Sequence, residues 1–171
     1  MGAAPSQRAA RRWGWHPLTP EWADRLVAAS PVRPGDVVVD LGAGDGALTR
    51  PLLRAGCRVL AVELHPTRAR ELRRDFEGRR VAVLELDLTE FRWPGHAFRV
   101  VANPPYAGIN ALVRRLLGVR TLRSADLVVS EGLARGLLRR YGDRLEPGLR
   151  VPRAAFRNRP PADARVLRIR R

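Results

Sequence analysis

The chain has 171 residues, 45% of them hydrophobic, and carries 32 basic against 17 acidic side chains, a formal charge of +15. That length suits one domain, the apolar content argues against general disorder, and no apolar run approaches the roughly 20 residues that cross a bilayer. Every basic residue is arginine, and a charge excess of this size favours a polyanionic partner over a small-molecule substrate, because each neutralised phosphate releases condensed counterions. The start, Met1 to Arg12, has arginines but no apolar stretch behind them, so it is not read as a secretory signal. The lone cysteine, Cys57, excludes an internal disulfide and fits a reducing cytoplasm; it reads as a small buried hydrophobe. His16, His65 and His96 have no metal-ligand spacing, so no metal is expected.

Residues 1–12 read as a basic, flexible segment and 13–171 as a single domain beginning at Trp13. Thr19-Pro20-Glu21 predicts a helix start, with a hydroxyl cap, proline at the first helical position and an acid in the first turn. Pro31 and Pro34 end that helix near Ala29. Val37-Val38-Val39 is a continuous apolar run, as in a strand covered on both faces. Helix is expected over 47–55, stopped by Gly56, then a strand over 58–62 and a helix from Pro66 through Phe76. Strands follow at 81–85 and 98–102, a helix at 109–117, a strand at 125–129 and a helix from Glu131 to about Tyr141. The last two extended segments, 147–155 and 164–169, have no helix between them and predict an antiparallel pair. The pattern is α/β: a Rossmann-like, mostly parallel seven-stranded sheet with right-handed crossovers and a terminal antiparallel hairpin.

In such sheets ligands bind at the carboxyl ends of the strands, near the point where strand order reverses. The first strand ends in Asp40-Leu41-Gly42-Ala43-Gly44-Asp45-Gly46. Gly42, Gly44 and Gly46 allow close backbone approach and dihedrals that a side chain forbids. The turn is read as holding the amino acid end of S-adenosyl-L-methionine, with Asp40 facing its ammonium. Glu63, ending the second strand, is placed to accept the ribose hydroxyls; an ion pair with Arg68 is its alternative. Asp87, just past the third strand, is favoured over Glu85 to accept from an adenine amine, with Leu64 and Leu88 against the ring.

Asn103-Pro104-Pro105-Tyr106 follows the fourth strand and opens on the same face. An adenine N6 is a poor nucleophile, since its lone pair is delocalised into the ring. The Asn103 side-chain oxygen and the Pro104 carbonyl are two acceptors for its hydrogens, which would hold the nitrogen in line with a methyl donor. Tyr106 would stack on the base. A base inside a duplex cannot reach such a pocket and must be flipped or unpaired. Phe156 either closes the pocket from the other side or belongs to the core.

The order of these motifs resembles the rRNA adenine-N6 methyltransferases, the group of the Erm-type macrolide-resistance enzymes and the 16S rRNA dimethyladenosine transferases. The resemblance runs from Val38 to about Arg170, through DLGAGDGALT (40–49), AVELHP (61–66), ELDL (85–88), VVANPPY (100–106) and VPRAAFRNRPPADARVLRIRR (151–171). The last stretch is most like the Erm branch, which implies Phe156 against the target adenine. It also implies methyl transfer from S-adenosyl-L-methionine to N6 of an adenosine in rRNA, most closely 23S rRNA, giving macrolide-type resistance, with the enzyme a cytoplasmic monomer. The chain departs from the pattern at Trp15-His16-Pro17-Leu18, where the family has Gln-Asn-Phe, and at Pro104, where relatives have isoleucine or leucine. The family's helical C-terminal domain is expected to be absent, which shifts RNA binding onto arginines: Arg8, Arg11 and Arg12 near the start, and Arg153, Arg157 and Arg159 around Phe156. Asn103-Pro104-Pro105-Tyr106 also fits DNA adenine and protein glutamine methylation, and a non-catalytic RNA-binding protein on the same fold is a third reading.

Overall fold

The computed structural model describes residues 16–170; Arg8, Arg11, Arg12, Trp13 and Trp15 lie outside them. The elements are α1 (Pro20–Ala28), β1 (Val37–Leu41), α2 (Thr49–Arg54), β2 (Arg58–Glu63), α3 (Pro66–Asp75), β3 (Val81–Glu85), β4 (Phe98–Ala102), α4 (Ile109–Gly118), β5 (Leu122–Ser130), α5 (Glu131–Tyr141), β6 (Glu146–Val151) and β7 (Ala164–Arg170). Thr19 caps α1 as expected, accepting from the Trp22 N–H. Helix α2 begins at Thr49 rather than at residue 47, because Ala47 and Leu48 are still in the turn that Gly46 opens at φ +81°.

The sheet order is β3-β2-β1-β4-β5-β7-β6. Strands β1 to β5 are parallel, and β7 inserts antiparallel between β5 and β6. From β1 the chain steps outward through β2 and β3, then returns to the other side of β1 at β4. The switch point is therefore the crevice between β1 and β4. Strand β5 starts earlier than its apolar run suggests, at Leu122. A register shift at Phe98/Arg99 fits Arg123 in, and its later residues pair with both β4 and β7. The expected extended segment 147–155 ends at Val151; Arg153–Ala155 is instead a 3-10 turn, after which the chain meets the Pro17–Thr19 segment.

Alternation along β1 sends its side chains to two cores. Val39 and Leu41 meet Ile109, Val113 and Leu116 of α4 and Leu137 of α5. On the opposite face Val38 meets Leu26 of α1, Leu52 of α2 and Leu72 of α3. Cys57 is buried in this second core. With both faces covered, the strands' ends are the open edge, and the site lies there.

Candidate active site

A cavity of about 470 Å³ opens at the switch point. Its floor is Gly42 and Val62, and one side carries Glu63, Leu64, His65, Asp87 and Leu88. Asn103, Pro105, Gly108, Ile109 and Leu112 form the opposite side. Glu63, Leu64, Asp87 and Leu88 are residues the sequence pattern proposed for the cofactor, whereas it did not point to His65. It missed the α4 wall and Arg115, whose guanidinium donates to the carbonyls of Leu88 and Phe91 at 2.6 and 2.7 Å and so ties α4 to the β3 loop. Only the fold brings these segments together, so no local signal could have found Arg115.

The glycine turn is held from below. Gly42 and Ala43 donate to the Val62 carbonyl at 2.8 and 3.0 Å, and Gly44 donates to Glu63 Oε2 at 2.8 Å. Gly42 sits at φ +74°, and a Cβ there would lie 3.0 Å from Pro105 Cδ. The glycine turn and the Asn-Pro-Pro-Tyr turn thus pack closely, and a side chain at Gly42 would press on Pro105. At Gly46, φ +81°, a Cβ would meet Phe76 at 2.8 Å.

Three acids line the strand ends in different states. Glu63, 5% exposed, accepts from the backbone N–H groups of Gly44 and His65, both at 2.8 Å, and lies 3.7 Å from Arg68. The ion pair and the cavity position therefore coexist, and the aimed carboxylate keeps lone pairs for a diol. Asp87 Oδ1 accepts from the Thr89 N–H and hydroxyl, which hold the carboxyl below the usual range. Its rival Glu85 faces away, paired to Arg73 at 3.0 Å. Asp40 is 1% exposed, and burial pushes its pKa up to about 7, against the opposing Thr49 hydrogen bond at 2.7 Å and with Glu63 and Asp45 adding to the rise. It lies outside the main cavity, on a small recess of about 20 Å³ shared with Asp45, Gly42 and Asn103. Acceptors with apolar walls fit a nucleoside, so Glu63, Asp87, Leu64 and Leu88 suit the nucleoside end of S-adenosyl-L-methionine, while Asp40 stands apart from that cavity on its own recess.

On the base side, Asn103 Nδ2 donates to the His16 carbonyl at 2.7 Å. Pro104 is buried beneath it. Tyr106 is half-buried, and burial raises its hydroxyl to about 12, so it stays protonated. Phe156 is 1% exposed within the second core, bridged to Leu18 by strand-like pairing. In this conformation it packs beneath the base site and does not line the cavity. Arg157 pairs with Asp45 of the glycine turn, and Arg153 is exposed. Among the described residues no cluster of potential metal ligands exists, and no helix is long and apolar enough to cross a membrane.

The switch-point cleft on a seven-stranded sheet with a reversed β7 is the architecture of the class I methyltransferases. The 23S rRNA methyltransferase ErmE superposes with a TM-score of 0.82 at 27% identity, over 91% of this chain and 69% of that one. Residues 16–164 match the ribosomal RNA adenine dimethylase family, and the chain belongs to that family. Among curated relatives, the ribosomal RNA small subunit methyltransferase A of Thermosynechococcus vestitus is 42% identical over 65% of this chain and 43% of its own length. The mycinamicin-resistance protein MyrB of Micromonospora griseorubida is 40% identical over 57% of this chain and 31% of its own. The chain spans less than half the length of these two relatives.

Proposed function

We propose that this protein transfers methyl groups from S-adenosyl-L-methionine to N6 of an adenosine in ribosomal RNA. The close packing of the glycine turn and the Asn103 turn, across Gly42 and Pro105, carries this reading. It sets an acceptor for an amine beside a nucleoside-sized cavity, which is what in-line group transfer requires. Bound S-adenosyl-L-methionine would supply an electrophilic methyl. Glu63 and Asp87 would hold its ribose and adenine, Leu64 and Leu88 would pack the ring, and Asp40 would face the ammonium.

The target amine would donate to Asn103 Oδ1 and the Pro104 carbonyl. These acceptors favour the charge that builds on N6 as it attacks. Tyr106, held neutral by burial, offers a face to the base and takes no proton. No general base is needed, since the proton can leave to water after transfer.

The rRNA read is 23S, conferring macrolide-type resistance in the cytoplasm of the host cell. Support comes from the likeness to ErmE and to the mycinamicin-resistance protein. The 42% identity to a small subunit methyltransferase supports 16S rRNA as the second reading. The +15 charge supports an RNA partner, with Arg157 paired to Asp45 of the glycine turn, Arg153 exposed four residues before it, and Arg11 and Arg12 earlier in the sequence as further candidates. The test is incubation with labelled S-adenosyl-L-methionine and, in parallel, large-subunit RNA, small-subunit RNA, both subunits, duplex DNA and a protein extract. Label in N6-methyladenosine of large-subunit RNA is expected. Label in small-subunit RNA selects the second reading, and label confined to DNA or protein overturns both.

A further inference from the structure

His16 meets three residues of the base site, Asn103, Tyr106 and Phe156. Its carbonyl accepts from Asn103 Nδ2 at 2.7 Å. Its ring lies 5.7 Å from Tyr106, tilted by 34°, and meets Phe156 edge-on at 6.3 Å. Its Nδ1 is 3.3 Å from Asn158 Oδ1. The segment is fixed by backbone bonds on both sides of the Leu18–Phe156 bridge. Arg157 N–H donates to the Pro17 carbonyl and Thr19 N–H to the Ala155 carbonyl, both at 2.8 Å.

An asparagine amide has two nearly equivalent rotations, which exchange its donor and acceptor. A backbone carbonyl can only accept, so the His16 carbonyl forces the Asn103 nitrogen inward and leaves Oδ1 to receive an amine. Rotated the other way, Asn103 would present N–H groups to N6 and repel it. The backbone bonds at Pro17 and Thr19 hold the segment, and the ring packing against Tyr106 and Phe156 adds a side-chain hold at His16 itself. The same ring braces Tyr106, the face offered to the base.

Resting on the function proposed above, we propose that His16 is the positioning residue of the base site: it locks Asn103 with its acceptor outward and steadies Tyr106. It stands where the chain departs from the family's Gln-Asn-Phe segment, so it is a device of this chain's own residues. The cofactor cavity does not include it.

The test compares His16→Ala with His16→Phe, which restores a ring of similar breadth. His16→Ala should lower kcat on rRNA by about tenfold or more, as small misplacements of reacting groups do, with cofactor Kd and thermal midpoint nearly unchanged. His16→Phe should recover most of the rate. An unchanged rate in His16→Ala, a parallel loss of cofactor binding, or no recovery in His16→Phe would overturn the inference. Should His16→Ala fail to fold, the rate of His16→Phe against His16→Gln, which keeps a polar group without a ring, decides the same point. Wild-type protein that methylates no RNA sinks the proposed function instead. His16 is then judged by quenching of 2-aminopurine ribonucleotide fluorescence. Weaker quenching by His16→Ala than by wild type and His16→Phe supports it, and equal quenching refutes it.

Discussion

The two sides of the cleft are built by different means. The proposed cofactor side takes Asp40, Glu63 and Asp87 from the ends of β1, β2 and β3 or just beyond, consecutive strands of one parallel sheet. Its key acids are fixed by nearby backbone: Glu63 by Gly44 and His65, Asp87 by Thr89. The base side takes Asn103 and Tyr106 from after β4, then borrows His16 from before α1 and the Phe156–Asn158 stretch from between β6 and β7. Its defining hydrogen bonds span 87 and 142 positions of chain. A strand-end site survives as long as the sheet forms. A site closed by distant segments depends on the packing of everything between them, so it is the more sensitive side and the one where sequence can vary its specificity.

Substitutions can separate the sides. Asn103→Ala should reduce transfer by about two to three orders of magnitude, the usual scale for losing a group aimed at transition-state charge. Calorimetric cofactor affinity should stay nearly intact; a parallel loss would mean that the two sides are not separable.

Asp40, proposed to face the cofactor's ammonium, gives the next effect. Burial pushes its pKa from the ordinary 3.8 up to about 7. The native state therefore binds this proton more tightly than the unfolded chain. The associated stability is present at low pH and is lost as pH rises from about 4 through about 7, by up to ~4 kcal/mol. Denaturation of wild type and Asp40→Asn across that interval should show the downward slope only in wild type. Affinity for the cationic cofactor should move oppositely, rising with pH as the carboxylate forms.

Gly42→Ala attacks both sides at once. The left-handed backbone and the 3.0 Å approach of Pro105 should together cost ~1–3 kcal/mol of stability. Cofactor binding and transfer should both fall; a variant that loses only one would show that the turns do not act as a unit. The smallest effect is expected of Arg157→Ala. Its pair with Asp45 is about half exposed on the arginine side, so stability should change by less than ~1 kcal/mol. RNA affinity should lose salt dependence by about one counterion if Arg157 reaches a phosphate, and an unchanged salt slope would exclude that contact.

Much of this was legible in the linear chain. Residues 37–41, 58–63, 81–85 and 98–102 are short apolar runs, the first three separated by helical segments and the last two by a loop, and such a pattern favours a parallel sheet. Once the sheet is parallel, whatever follows each strand must sit on one edge, so Glu63, Asp87 and Asn103 could be placed from their positions alone. The helix start at Thr49 and the 3-10 turn at 153–155 were not legible. The first depends on how Gly46 packs against Phe76, the second on the Thr19 and Pro17 backbone partners. Phe156 could be read as wall or core, and only burial against Leu18 decided that it packs beneath the site in this conformation.

By itself, then, the sequence determined the α/β order, the strand ends that carry the acids, and the two turns that face each other. These follow from periodicity and from glycine and proline geometry, which act over a few residues. The tertiary structure decided the rest: which way the Asn103 amide points, that Arg115 ties α4 to the β3 loop, and that His16 stands between the beginning and the end of the chain. Those facts rest on contacts between segments far apart in sequence, and such contacts have no local signature.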